Sequence, residues 1–111
     1  MELEAIEINM REAINRIEVV GAQYAKAKGL AYQMQKMREV VLSMEMKKVL
    51  GTNAHKQMEA KCSVPYFDHI KGTGEVIEEE QKLKAEWMKW QAQYEGCRSL
   101  LSLEKAKTKI L

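Results

Sequence analysis

Alternating steps of three and four from Leu3 land on Ile6, Met10, Ala13, Ile17, Val20, Tyr24, Ala27, Ala31 and Met34. None of these positions is charged. Past Met34 the stripe moves by a residue and runs on through Met37, Val41 and Met44. Such steps keep side chains on one face of an α-helix, and over several heptads they describe a coiled-coil seam. A second stripe of the same spacing runs through Tyr66, Ile70, Thr73, Val76, Glu80, Leu83, Trp87, Trp90, Tyr94, Cys97 and Leu101, with Glu80 its polar exception. The pattern predicts an all-α protein, a long helical hairpin or antiparallel coiled coil that oligomerises. Ile17, Val20, Tyr24, Met34, Val41, Leu83, Trp87, Trp90 and Tyr94 form the seam, within one chain or between chains.

Punctuation along the chain sets the expected elements of a single helical domain over residues 1–111. The first helix spans about 2–50, with Lys47 and Lys48 in its last turn and Gly51 just past its end. Gly21 and Gly29 lie off the seam, and the stripe passes both without a phase change. One continuous helix is the simpler reading; a break near Gly21, giving a three-helix arrangement, is the alternative. Thr52 and Asn53 suit the cap of a short helix over about 54–61, and Ser63 suits the cap of a return helix over about 64–102. Pro65 is tolerated in that helix's first turn. Gly72 and Gly74 mark either a close approach of another backbone or a loop. Residues 104–111 are expected to fray.

Charge sharpens this picture. The net charge of +2 conceals blocks. Residues 21–61 carry eight basic and three acidic side chains, whereas residues 62–95 carry four basic and seven acidic. A basic middle opposite an acidic return arm favours antiparallel pairing. Two long helices leave one chain of 111 residues little interior, which favours self-association. No stretch alternates as a strand does, and no uncharged run approaches the roughly 20 residues of a membrane span. The two cysteines, Cys62 and Cys97, form no ligand-spaced motif, and the first ten residues are acidic and lack an apolar leader. A cytoplasmic chain is expected.

Candidate chemistry is sparse. Trp87, Trp90 and Tyr94 share a face and offer a stacking platform for single-stranded bases, but their spacing is that of the seam, which favours packing. Met34, Met37 and Met44 suit an adaptable groove or ordinary core. Glu78–Glu80 lack a histidine or aspartate at ligand spacing and read as a solvated face. His55 and His69 have no nucleophile or paired acid at a recognisable spacing, so no enzyme, cofactor or metal site is expected. Any nucleic-acid site should draw on the basic block, with Lys36, Arg38, Lys47, Lys48 and Lys56 the candidate DNA contacts, because phosphate neutralisation gives sequence-independent affinity; from composition alone a solvated helix surface paired with the acids of the return arm is the favoured alternative.

An aromatic-rich helix passes into Tyr94-Glu95-Gly96-Cys97-Arg98-Ser99-Leu100-Leu101-Ser102-Leu103-Glu104-Lys105. This run resembles a group of small bacteriophage helical proteins encoded among recombination and replication genes. The layout over residues 22–105 is also similar to that of phage recombination mediator proteins. The matching features are Lys47 and Lys48 before Gly51, a cap at Ser63, then Trp90 and Cys97. The resemblance implies a non-enzymatic homo-oligomer that binds single-stranded DNA. It would assist loading of a recombinase while single-strand-binding protein is displaced. The residues alone leave a second reading open, a helical adaptor or regulator that binds another protein and no nucleic acid.

Overall fold

A computed structural model describes residues 3–110 and consists of three helices: α1 (Leu3–Met46), α2 (Asn53–Lys61) and α3 (Val64–Ile110). The expected helix start at Glu2 and the fraying of Leu111 lie outside the described residues. α1 and α3 form a helical hairpin, so the two apolar stripes pair within one chain. Gly21, Gly29, Gly72 and Gly74 all lie within helices; neither the break near Gly21 nor the loop at Lys71–Gly74 is present.

Local chemistry explains the ends. α1 stops at Met46, short of the expected Leu50, because its last turn tightens. The Lys48 N–H donates to the Glu45 carbonyl and the Val49 N–H to that of Met46, both at 3.2 Å. Gly51 therefore does not follow the helix directly. It holds a φ of 128°, a conformation open to glycine, in the turn that leads into α2. Thr52 caps α2, its side-chain oxygen accepting from the His55 N–H at 3.3 Å. Ser63 caps α3, its Oγ accepting from the Tyr66 N–H at 3.4 Å while donating to the Ala60 carbonyl at 2.7 Å. Past residue 102, where the return helix was expected to end, α3 continues to Ile110. Lys107 Nζ reaches Glu104 Oε1 at 3.4 Å, Thr108 Oγ1 donates to the Glu104 carbonyl, and Lys107 and Lys109 complement the helix dipole.

The chain clusters into two compact units. In the first, Met1–Ala25 with Gln81–Leu111, the buried core is Ile6, Ala13, Val20 and Cys97, flanked by half-buried Ile17, Tyr24, Leu83, Trp87, Trp90 and Tyr94. Burying a side chain the size of Ile6 or Val20 is worth roughly 1.5–3 kcal/mol. In the second, Lys26–Glu80, the buried residues are Ala31, Leu42, Glu45 and Ala60, with Met34 and Val41 half-buried.

The register of α1 corrects the expected shift after Met34. Met37 and Met44 are exposed. The heptad spacing carries on to Glu45, which is buried at the position that Tyr24 and Ala31 hold in earlier turns; Arg38, at the same spacing, is exposed, and Leu42, next to the half-buried Val41, joins the core. On α3, His69 rather than Ile70 takes the seam position; Ile70 is exposed. The His69 Nε2–H donates to the Met34 carbonyl oxygen at 2.8 Å, a polar tie from α3 to α1. Among the described residues no helix is long and apolar enough to cross a membrane.

Candidate functional site

The basic candidates lie in the second unit and do not share a face. Lys36 is exposed, its Nζ 4.7 Å from the Tyr32 ring centroid. Arg38 is two residues on and so projects about 200° away around α1. It sits 3.8 Å from Glu39 and edges a groove of about 550 Å³ with Gln35, Ile70, Thr73, Gly74 and Ile77. Lys47 is exposed just beyond α1, and Lys56 is half-buried on α2. Lys48 is committed elsewhere. Its Nζ lies 2.7 Å from Glu45 Oε2, and the Glu45 side chain is only 6% exposed. A buried carboxylate needs such a partner, because desolvation without one costs several kcal/mol.

Glu45, Lys48 and His69 also line a smaller pocket, of about 300 Å³, with Val41, Met44 and Pro65. Sequence reading missed this cluster. Glu45 and His69 are far apart in the chain, and only the pairing of α1 with α3 brings them to one pocket. The one signal available was an acid at a heptad seam position. The cluster is structural in its visible bonds: Glu45 is held by Lys48, and His69 by a backbone carbonyl.

In the first unit the aromatic residues are packing elements. The Trp87 ring lies 5.5 Å from that of Tyr24, tilted by 38°. Arg16 and Lys89 approach the Trp90 ring at 5.6 and 5.4 Å, and Arg16 also pairs with Glu86 at 3.3 Å. Trp90 Nε1 is buried without a hydrogen-bond partner. Trp87 and Trp90, half-buried in these contacts, form no open platform for bases. Gly21, assigned no seam role by the pattern, admits Trp87: a Cβ there would lie 2.9 Å from Trp87 Nε1.

Glu78 and Glu79 are exposed and Glu80 half-buried, and no group of three or more histidine, cysteine or acidic residues that could hold a metal occurs among the described residues. Of the methionine cluster, Met34 packs near Gly72, whereas Met37 and Met44 join Leu30 and Val40 as exposed apolar residues of α1. Comparison with protein-family models, curated proteins and solved structures returns no match.

Proposed function

We propose that this protein is a non-enzymatic, self-associating helical accessory factor of phage DNA recombination. In this reading several copies together present their basic residues to single-stranded DNA and assist recombinase loading. Avidity supplies the affinity, since each copy offers few cations. The observation that carries the reading is the exposed apolar surface of the second unit. Leu30, Met37, Val40 and Met44 are exposed there, on a chain whose seams are already occupied within the hairpin. The DNA half of the proposal rests on the resemblance of the sequence over residues 22–105 to phage recombination mediators.

Lys48 is unsuitable as a test because its removal strands Glu45, and Arg38 faces Glu39. Lys47 and Lys56 are the better pair. Lys47→Gln/Lys56→Gln should weaken binding to a fluorescent single-stranded oligonucleotide with helicity and assembly mass unchanged. The slope of log K against log salt should fall by about 1.4, the value for two lost contacts on a single strand. No salt-dependent binding by the unaltered protein would reject the DNA reading. The divergence of Lys36 and Arg38 around α1 favours the adaptor reading, in which the exposed apolar residues hold another protein.

A further inference from the structure

The seam is used up within the hairpin, so self-association needs another face, and the second unit carries one. On α1, Leu30, Met37 and Met44 are exposed and recur at steps of seven, a row beside the seam, and exposed Val40 stands next to it in the column that Lys26 and Gln33 begin. Pro65 of α3 lies on the same side of the hairpin, since Met44 and Pro65 line one pocket. Gly72, one heptad beyond Pro65, sits against Met34. The centre of this face is therefore apolar and small from Pro65 to Gly72, with exposed Glu79 one heptad further on at its end. Its margins differ in sign. The α1 margin holds Lys26, Gln33 and Lys36 and is basic, whereas the α3 margin holds Asp68 and Glu75 with Lys71 between them and is acidic on balance.

We infer that this face is the contact between two copies of the chain, related by a two-fold axis that lays α1 of one copy over α3 of the other. This deepens the self-association reading and rests on it. Such an arrangement buries Leu30, Met37 and Met44 at the axis and sets the lysine margin of each copy against the carboxylate margin of the other. A face carrying both signs satisfies itself under a two-fold, the commonest oligomer symmetry. Pairing α1 with α1 instead would oppose lysines to lysines.

The test is light scattering on the full chain. The unaltered protein runs as a dimer, and Met37→Glu reduces it to the 12.8 kDa monomer. Phe67→Glu, on the other side of α3, leaves the dimer intact. Both positions are exposed, so circular dichroism should show unchanged helicity; should Met37→Glu lose helix, Met37→Gln reports the same face. Lys26→Glu/Lys36→Glu and Asp68→Lys/Glu75→Lys are each monomeric alone and form a heterodimer when mixed. A dimer that survives Met37→Glu overturns this face but keeps self-association. So does a lysine-reversed variant that pairs more tightly with the unaltered chain than that chain pairs with itself. A monomeric unaltered protein overturns the face and self-association together.

Discussion

Gly21 and Gly29 share one helix, yet substitution should act on them in opposite directions. A Cβ at Gly21 would meet the rigid indole of Trp87 at 2.9 Å, whereas one at Gly29 meets nothing within 4 Å. Alanine gains about 1 kcal/mol of helix propensity at either site. Gly29→Ala should therefore stabilise by about 1 kcal/mol, while at Gly21 overpacking of typically 1–3 kcal/mol outweighs that gain. Urea melts of the two variants side by side check this. Glu45 gives a second pair. Replacing it with leucine removes a buried charge from a seam position and leaves Lys48, 69% exposed, free to solvate. Glu45→Leu should be stabilising by about 1 kcal/mol, and Lys48→Met destabilising by at least as much, because it strands the carboxylate. Thermal melts at neutral pH separate the two signs.

At the scale of the helices, the caps decide where elements begin. Ser63→Ala removes both the acceptor for the Tyr66 N–H and the donor to the Ala60 carbonyl. It should cost about 1 kcal/mol, read in the same urea melts, and lower hydrogen-exchange protection in the first turn of α3. These caps were legible in the sequence, as were the two stripes, because both depend on neighbours three and four residues away. The register past Met34 was not. There the apolar rows Met34–Val41 and Met37–Met44 lie side by side, and the heptad slots hold Arg38 and Glu45. Hydrophobicity alone favours the methionines, yet Met37 and Met44 are exposed; continuity of the period holds at buried Glu45 but not at exposed Arg38, and Leu42 is buried outside both rows. The Ile70 assignment failed because His69 fits the heptad and gains a carbonyl partner. The end of α3 was set by Glu104 with Lys107 and Thr108, contacts too weak individually to stand out as a pattern. The pocket of Glu45 and His69 was illegible because it joins distant segments. The spread of Lys36 and Arg38 around α1 was readable from their spacing but was masked by treating the basic residues as one block.

For the molecule as a whole, the hairpin consumes the stripes that announced it. Both units leave apolar residues exposed outside the seam, Ile8, Val19 and Met88 in the first, and the row of the second unit with margins of opposite sign is the feature on which function is proposed to rest. DNA affinity, in this account, follows from assembly: Met37→Glu should weaken oligonucleotide binding although no basic residue is altered, and anisotropy titrations against the unaltered protein check that. The most direct test is the molar mass of the unaltered chain by light scattering over a wide concentration range. The expected mass is that of a dimer, twice 12.8 kDa. A single 12.8 kDa species at every concentration would contradict it.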